Sequence, residues 1–212
     1  MSTYDTITFE HNDRIALVTI NRPDSLNALN KEVMAEVAHV FGEIDRNKDI
    51  AVSVLTGEGR VFSAGADLDG VRAGLATEPV WEVVSARLAA LPCPTVAALN
   101  GTLAGGAFGI ALACDFRVAV PGASFFYPVM KLGYLPQPSD PARLAALIGP
   151  ARARRLLLAG ARIDAATALD WGLVDALADP DGLTEAACEL LAAGLSAGPA
   201  HAGAIKALLP RA

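Results

Sequence analysis

The most informative segment of the sequence is Asn100-Gly101-Thr102-Leu103-Ala104-Gly105-Gly106-Ala107-Phe108-Gly109-Ile110-Ala111-Leu112-Ala113-Cys114-Asp115. A glycine-rich turn runs directly into an apolar helix, and glycines at such a junction let another molecule approach the backbone closely. The first turn of that helix presents unpaired N–H groups and the positive end of its dipole, which favour an oxygen that carries or develops negative charge. Residues 100–113 contain no acid, base or nucleophile, so the stretch can hold an oxyanion but cannot move a proton.

The sequence on both sides of this stretch alternates between predicted strands and predicted helices. Runs rich in apolar and β-branched residues predict strands over 15–20, 51–56, 95–99 and 116–120. Asn30 suits a helix N-cap, and the apolar residues that follow it at helical spacing predict an amphipathic helix. Another helix is predicted over 82–91, and short helical segments follow residue 141 with breaks at Gly149-Pro150, Gly160 and Gly172. This alternation is typical of an α/β fold with helices packed on a sheet.

The chain of 212 residues has the composition of a folded globular protein, with 53% hydrophobic and 19% charged residues. We see no repeat, linker or low-complexity segment, so we expect a single domain over 1–212 with a C-terminal helical segment over about 183–212. The net charge of −6 argues against a nucleic-acid partner, because phosphate binding needs clustered Lys and Arg.

Targeting and membrane signals are not evident in the sequence. The N-terminus lacks the basic-then-apolar pattern of a signal peptide, and the longest uncharged apolar run, around 103–114, is shorter than the roughly 20 residues of a membrane span. The cysteines Cys93, Cys114 and Cys188 are odd in number and widely separated, which suits a reducing compartment better than a disulfide framework. We therefore expect a cytoplasmic protein with no membrane partner.

A second candidate oxyanion site is the segment Phe62-Ser63-Ala64-Gly65-Ala66-Asp67-Leu68. Small residues and a glycine expose backbone N–H groups there, and Asp67 suits a cap of the following turn. Taken alone, the segment fits a tight turn of packed small residues better than a binding site. Paired with the Gly105-Gly106 turn, it would place two backbone donors around one oxygen, an oxyanion hole worth about 2.7–4 kcal/mol per donor in other enzymes.

Other patterns that carry chemistry do not occur. Residues 101–106 do not spell the G-x-G-x-x-G of a dinucleotide-binding turn, and Val61 stands where a nucleophile elbow around Ser63 requires glycine. His11, His39 and His201 are scattered without the spacing of metal ligands. We therefore expect neither a metal site nor a permanently bound cofactor.

Several short motifs follow one another in a recognisable order. They are Asn21-Arg22-Pro23, Leu26-Asn27-Ala28-Leu29, Leu55-Thr56-Gly57, the 62–68 segment, Asn100-Gly101, Gly105-Gly106, Cys114-Asp115, Lys131-Leu132-Gly133, Leu147-Ile148-Gly149 and Gly172-Leu173-Val174. Each motif alone is common, but their order, from about Ile15 to Lys206, resembles the crotonase superfamily, which is the enoyl-CoA hydratase/isomerase family.

The resemblance implies a fold, a ligand and an assembly. The fold is a crotonase-like α/β spiral of ββα repeats with C-terminal helices, and such chains usually form trimers or dimers of trimers. The ligand is an acyl-CoA thioester, whose carbonyl oxygen would accept hydrogen bonds from the N–H groups of Ala66 and Gly106. The other acyl-CoA-binding residues that the resemblance implies are Ser25, Leu26, Ala64, Gly65, Asp67, Leu68 and Gly105.

The sequence departs from the family at the positions that transfer protons. The two positions of the family glutamates hold Gly109 and Val129, and a third position, used by some isomerases, holds Gln137, which cannot exchange a proton near pH 7. Because general acid–base groups contribute about 10² to 10⁴-fold each, hydration of an enoyl-CoA should be very slow. The resemblance thus favours an isomerase, decarboxylase, hydrolase or carbon–carbon lyase over an efficient hydratase.

Three side chains are candidates for a catalytic role. Asp140 is the nearest acid, although Asp140-Pro141 is also typical of a helix N-cap followed by proline at the first helical position. Gln137 and Tyr127 could hydrogen-bond an acyl group, and Tyr127 also suits a core position. The absent glutamates and a C-terminus shorter than the family's leave a second hypothesis, a non-catalytic acyl-CoA-binding protein that acts as a sensor or as the partner of an active paralogue.

Overall fold

The computed structural model of the protein describes residues 4–209, whose strands form two sheets. The larger sheet contains, from edge to edge, β1 (Ile7–Asn12), β2 (Ile15–Ile20), β3 (Val52–Gly57), β5 (Thr95–Leu99), β7 (Phe116–Ala119) and β10 (Ala176–Leu177). The smaller sheet contains, in spatial order, β4 (Val61–Ser63), β6 (Thr102–Ala104), β8 (Ser124–Phe126) and β9 (Arg162–Asp164). Paired strands are parallel except for the antiparallel pairs β1–β2 and β8–β9.

Helices connect the strands and cover the sheets. They are α1 (Lys31–Arg46), α2 (Leu68–Arg72), α3 (Val80–Ala89), α4 (Phe108–Ala113), α5 (Val129–Leu132), α6 (Asp140–Leu157), α7 (Ala165–Trp171), α8 (Leu183–Leu190), α9 (Ala192–Ala197) and α10 (Pro199–Leu208). Within residues 4–209, none of them combines the length and apolar character that crossing a membrane requires.

Three successive strand pairs build a spiral. In β3 and β4, β5 and β6, and β7 and β8, the first strand joins the larger sheet and the second joins the smaller one, and helical structure follows each pair. Because each turn repeats the same path, the segments that leave β4 and β6 lie beside each other at one end of the smaller sheet. The expected α/β spiral of ββα turns is confirmed.

The local sequence explains helix α1. The Asn30 side chain accepts a hydrogen bond from the Val33 N–H at 2.9 Å, so the predicted N-cap is confirmed. The apolar residues at helical spacing form the buried face, namely Val33, Val37, Val40, Phe41 and Ile44. Burial of this face against the larger sheet follows from the hydrophobic effect and from the period of the helix.

Other boundaries differ from the sequence predictions. Strand β1 was not predicted, because Glu10, His11 and Asn12 are exposed at the sheet edge and give no apolar alternation. The predicted break at Gly149-Pro150 is confirmed, because Gly149 has a non-helical conformation with φ of +78° and ψ of 155°, and α6 consists of two helical segments that meet at this kink. The predicted C-terminal helical segment contains α8, α9 and α10, and residues 210–212 lie outside the described part.

The Asp115 carboxylate ties the start of β5 to helix α10. Its Oδ2 accepts hydrogen bonds from the Thr95 N–H at 2.8 Å and the Thr95 hydroxyl at 3.0 Å. The same oxygen pairs with Lys206 Nζ at 2.7 Å, and Lys206 also donates to the Cys93 carbonyl at 3.1 Å. Asp115 therefore anchors β5, the strand that precedes β6 and the glycine turn.

Asn27 is a buried polar residue that joins backbone segments next to β4. Its Oδ1 accepts from the Arg22 N–H at 2.9 Å, and its Nδ2 donates to the carbonyls of Glu58 and Val61 at 2.8 Å each. Its own carbonyl accepts from the Ser63 hydroxyl at 2.7 Å. The φ of Asn27 is +53°, a left-handed conformation that asparagine adopts more readily than most residues. These bonds hold the segment before α1 against β4.

We expect Asn27→Ala to lower the free energy of unfolding by about 3 kcal/mol, because it removes three side-chain hydrogen bonds and places alanine at a positive φ. Urea denaturation followed by circular dichroism measures the loss. Asn47→Ala, at the half-buried end of α1, is the matched control, with an expected loss below about 1 kcal/mol. Equal losses in the two variants would contradict the role assigned to Asn27.

Candidate active site

The Ala66 amide lies beside the end of the smaller sheet with its N–H unpaired. The Leu29 N–H donates to the Gly65 carbonyl at 2.8 Å, and the Asp67 N–H donates to the Leu29 carbonyl at 2.9 Å, which forms a parallel bridge between Leu29 and Ala66. In such a bridge the residue between the two bonded neighbours, here Ala66, directs its own N–H away from the partner residue, here Leu29. No acceptor for the Ala66 N–H occurs among residues 4–209.

The Gly106 amide belongs to the turn that follows β6. Gly105, with φ of +53°, and Gly106 begin the short 3₁₀ turn Gly105–Ala107, which leads into α4. The first N–H groups of a helical turn have no acceptor within that turn. Leu103 lies opposite Ser63 in the parallel pair of β6 and β4, so both amide-bearing segments leave the same end of the sheet.

The two segments are in backbone contact. A β-carbon on Gly65 would lie 2.8 Å from the Ala104 carbonyl oxygen and 3.3 Å from the Gly105 Cα. A β-carbon on Gly106 would lie 2.9 Å from the Trp81 ring, which is fixed by a 2.7 Å hydrogen bond from its Nε1 to the Leu75 carbonyl. Any side chain at Gly65 or Gly106 would therefore push the segments apart or displace the indole.

A cavity of about 380 Å³ opens beside these amides. The predicted site residues that line it are Ala64, Ala66, Leu68, Gly105, Gly106, Tyr127 and Gln137. Its other lining residues are Val71, Arg72, Ala76, Trp81, Pro128, Val129, Leu132, Tyr134 and Leu135. No Asp, Glu, His or Cys lines it within the part of the chain that the structure describes. The cavity is thus a mainly apolar space whose wall includes the two amide-bearing residues.

Four of the predicted acyl-CoA-binding residues do not line the cavity, namely Ser25, Leu26, Gly65 and Asp67. The Leu26 carbonyl accepts from the Ala64 N–H at 2.9 Å, so the Ser25–Leu26 segment adjoins the cavity wall. Asp67 caps α2 by accepting from the Asp69 and Gly70 N–H groups at 3.1 Å each, as the sequence predicts.

Asp67 also pairs with Arg22 at 3.3 Å. The Gly70 N–H and the Arg22 guanidinium lower the pKa of the Asp67 carboxyl, so it stays ionised at neutral pH. Its contacts hold the start of α2 beside Ala66, which is a structural role.

Asp140 is not the N-cap that its sequence context suggests. Helix α6 begins at Asp140 itself, after Ser139, and Pro141 is the second helical residue. The carboxyl group turns inward instead and is fully buried, with Oδ2 accepting from the Tyr127 hydroxyl at 2.8 Å. Its Oδ1 and Arg143 Nη1 are buried without a hydrogen-bond partner among the described residues. The tertiary bond to Tyr127 takes the place of the local cap.

The Asp140 carboxyl lies against Gly109. A β-carbon on Gly109 would be 3.0 Å from Oδ1 and 3.5 Å from Oδ2 of Asp140. The acid therefore sits where a side chain on α4 would begin, although it comes from α6. Burial raises the pKa of Asp140 to about 7, against the opposing effects of the Tyr127 hydroxyl and the Arg143 charge. Burial and the neighbouring Asp140 carboxyl raise the pKa of Tyr127, so the phenol stays neutral.

The other two polar candidates differ in their contacts. Gln137 lines the cavity, its backbone N–H donates to the Tyr127 hydroxyl at 3.3 Å, and its Nε2 makes only a long contact of 3.5 Å with the Ala76 carbonyl. Tyr127 also lines the cavity, and its ring stacks on Phe108 with centroids 5.3 Å apart. Tyr127, Gln137 and Asp140 thus form one connected group, whereas Val129 contributes an apolar wall.

Sequence reasoning missed two parts of the site. Trp81 was assigned no role, because a tryptophan at the start of a predicted helix gives no signal that it will lie on a glycine 25 positions later. The contact between Gly109 and Asp140 was missed for the same reason, since these residues are distant in sequence and meet only through the packing of α4 on α6.

Comparisons with known proteins identify the family of this chain. The family model for enoyl-CoA hydratase/isomerase matches residues 10–212. The chain is 40% identical over 189 residues to a probable enoyl-CoA hydratase of Mycobacterium tuberculosis, covering 87% of this chain and 73% of the relative. It is 36% identical over 194 residues to the short-chain-enoyl-CoA hydratase of Clostridium acetobutylicum, with the same two coverages.

A solved structure gives the same result. The enoyl-CoA hydratase from Mycobacterium avium subsp. paratuberculosis superposes with a TM-score of 0.86 at 33% identity, covering 96% of this chain and 80% of that one. The spiral fold and these similarities identify the chain as an enzyme with a crotonase fold. The chain belongs to the enoyl-CoA hydratase/isomerase family.

The buried Asp140 predicts a pH-dependent stability. The pKa of Asp140 in the folded protein is raised above the unfolded value of about 3.9. Its contribution to the free energy of unfolding is therefore full at low pH and is lost as the pH rises through about 7. Asp140→Asn carries no charge and can still accept from Tyr127. We expect its stability relative to wild type to increase by about 2–3 kcal/mol between pH 5 and pH 8.

Urea unfolding at the two pH values measures this change. Asp179→Asn, at an exposed acid, is the matched control and should show no such increase. A stability difference between Asp140→Asn and wild type that is independent of pH would show that the carboxyl is not held in its neutral form.

Proposed function

We propose that the protein processes acyl-CoA thioesters by stabilising an enolate at the backbone N–H groups of Ala66 and Gly106. The observations that support this proposal are the backbone contact between the segments around Gly65 and Gly105 and the presence of both Ala66 and Gly106 in the wall of one apolar cavity. Such donors act where charge develops, and each is worth about 2.7–4 kcal/mol in other enzymes.

The same cavity supports a position for the rest of the ligand. Ala64, Leu68 and Gly105 line the cavity beside the two amides, and the Ser25–Leu26 segment adjoins them through the Leu26 carbonyl. Gly65 and Asp67 shape the same loop. We infer that the thioester end of coenzyme A follows these residues, while the acyl group enters the apolar part near Trp81. Coenzyme A is then part of the substrate and not a resident cofactor.

The composition of the cavity wall favours reactions other than hydration. Hydration needs a group that activates water and a group that protonates carbon, and the lining residues of the described chain include no carboxylate. Gly109 and Val129 stand at the two positions where the resemblance places glutamates. We infer an isomerase, decarboxylase, hydrolase or carbon–carbon lyase, with Asp140, Tyr127 and Gln137 as the groups available for proton transfer or hydrogen bonding.

Charge, cysteines and exposed apolar residues support proposals for the partners, compartment and assembly of the protein. The net charge of −6 offers little attraction for nucleic acid, and the free cysteines Cys93, Cys114 and Cys188 suit a reducing cytoplasm. Exposed apolar side chains at Leu132 and Leu135 support burial in a homo-oligomer, for which the family resemblance suggests a trimer or hexamer.

We expect crotonyl-CoA hydration to be at least about 10⁴-fold slower than by the Clostridium acetobutylicum hydratase assayed beside it, because two acid–base groups of about 10²-fold or more each are absent. The loss of enoyl-thioester absorbance measures hydration. In parallel, nuclear magnetic resonance in D₂O should show deuterium entering the carbon next to the carbonyl of butyryl-CoA, because a proton removed to form the enolate is replaced by a deuteron derived from solvent. Hydration at the rate of the reference enzyme would contradict this proposal.

We expect Ala66→Pro to slow the butyryl-CoA exchange by about 10² to 10³-fold, because proline removes one N–H donor. The preceding residue is Gly65, which tolerates a following proline better than other residues do. Coenzyme A without an acyl group should bind the variant as it binds wild type, and the melting temperature checks folding.

Unchanged exchange by a folded Ala66→Pro protein would remove this amide from the mechanism. Tight butyryl-CoA binding by wild type, with no turnover or exchange of any tested thioester, would favour the non-catalytic binder instead. The absence of the usual glutamates is the observation that keeps this second function open.

A further inference from the structure

The proposed oxyanion hole does not explain the buried group formed by Asp140, Tyr127 and Gly109. Asp140 is fully buried and is absent from the cavity wall, but its carboxyl accepts a 2.8 Å hydrogen bond from the Tyr127 hydroxyl. Tyr127 does line the cavity. A buried acid is costly unless it is neutral or well bonded, so its retention beside a substrate-sized cavity requires a reason.

Packing on three sides fixes the position of this pair. The Tyr127 ring stacks on Phe108, at the start of α4, with an interplanar angle of 23°. The Tyr127 hydroxyl accepts a 3.3 Å hydrogen bond from the Gln137 N–H. The Asp140 carboxyl rests on Gly109, one residue after Phe108. The phenol therefore stands between the cavity and the carboxyl.

We propose that Tyr127 and Asp140 form a proton relay between the bound acyl group and helix α6, and that the missing side chain at Gly109 admits the Asp140 carboxyl to this position. The relay rests on the proposed enolate chemistry and supplies the proton transfer that the cavity wall lacks. Tyr127 is the catalytic residue, and Asp140 acts through it.

The relay balances without any further reactant. The C–H bond next to the thioester carbonyl breaks, its electron pair moves toward the carbonyl oxygen, and its proton passes to the Tyr127 oxygen. At the same time the original Tyr127 proton passes to Asp140 Oδ2. The products are an enolate at the two amides, a neutral tyrosine and a protonated Asp140. Reversal returns a proton to the same carbon, or to the far end of a conjugated double bond.

The charges around Asp140 suit this task. The groups that act on it are Tyr127, from the segment between β8 and α5, Arg143 on α6, and Glu82 on α3, while α4 presents Gly109 and no charge. Burial outweighs the effects of Tyr127 and Arg143 and brings the pKa of Asp140 to about 7. A base with this pKa both accepts and returns a proton near neutral pH. The raised pKa of Tyr127 means that the phenol passes a proton on and does not store charge.

Gly109 determines whether the relay can assemble. A β-carbon there would be 3.0 Å from Asp140 Oδ1, closer than most real contacts of β-carbons allow. Alanine at this position would press on the carboxyl and lengthen its bond to Tyr127. Gly109, at a position where the resemblance places a glutamate, thus leaves room on α4 for an acid from α6.

The test measures exchange of the C2 protons of butyryl-CoA in D₂O by wild type, Tyr127→Phe, Asp140→Asn and the double variant. We expect each single variant to lose at least about 100-fold in exchange rate, and the double variant to lose little more, because the two residues act as one unit. Calorimetry should show butyryl-CoA binding within about threefold of wild type in each variant. Asp179→Asn, at an exposed acid outside the site, is the control and should exchange at the wild-type rate.

The pH profile separates a relay from a merely structural role. The wild-type exchange rate should rise about tenfold per pH unit below about 7 and level off above it, because ionised Asp140 accepts the proton. The residual rate of Asp140→Asn should lack this inflection. Gly109→Ala, which keeps both Tyr127 and Asp140, should exchange at least about tenfold more slowly, and it remains informative if Asp140→Asn fails to fold.

The outcomes distinguish the relay from the proposed function. Wild-type exchange with no inflection near pH 7, or a folded Tyr127→Phe protein that exchanges at the wild-type rate, would overturn the relay and leave enolate formation standing. Wild-type exchange by Gly109→Ala would overturn the role of Gly109. Failure of the unmodified protein to bind butyryl-CoA, or to exchange its protons, would overturn both the relay and the proposed function.

Discussion

The contact between the backbones around Gly65 and Gly105 is the constraint on which the rest of the site depends. The two segments belong to successive turns of the spiral, and they meet because β4 and β6 are parallel neighbours that end at the same edge. The pairing of parallel strands brings loops that are distant in sequence together, and no interaction inside either loop is needed for this. Ala66 and Gly106 line one cavity, and the Trp81 ring packs on Gly106, as a result of this approach.

The sequence predicts most of the framework for reasons that are local. Strand β2 has the predicted bounds, and α1 begins at its predicted cap, because hydrophobic period and side-chain capping act over a few residues. Strand β1 was missed because its exposed edge carries polar residues. The break at Gly149 was predicted correctly, because a glycine followed by proline is a local signal that interrupts a helix. Local signals thus identify elements better than they define their limits.

The candidate site also contains some parts that local sequence predicts and others that only tertiary packing determines. Its glycine segments could be found from the sequence, since a close approach requires glycine and the order of motifs is specific. The position of Asp140 could not, because Asp140-Pro141 satisfies every local criterion for a cap while the decisive hydrogen bond comes from Tyr127. A non-local bond between buried polar groups outweighs a cap that solvent can replace. The sequence shows that position 109 is glycine, but only the packing of α6 on α4 shows that the Asp140 carboxyl lies against it.

The anchor at Asp115 has a consequence for how the chain acquires its structure during synthesis. The strand that leads into the glycine turn is fixed by a carboxylate whose cation, Lys206, lies 91 positions further along. A nascent chain in which both glycine segments have left the ribosome can therefore still lack this ion pair. The start of β5 gains this support only when α10 emerges from the ribosome, so this part of the larger sheet is fixed late in translation.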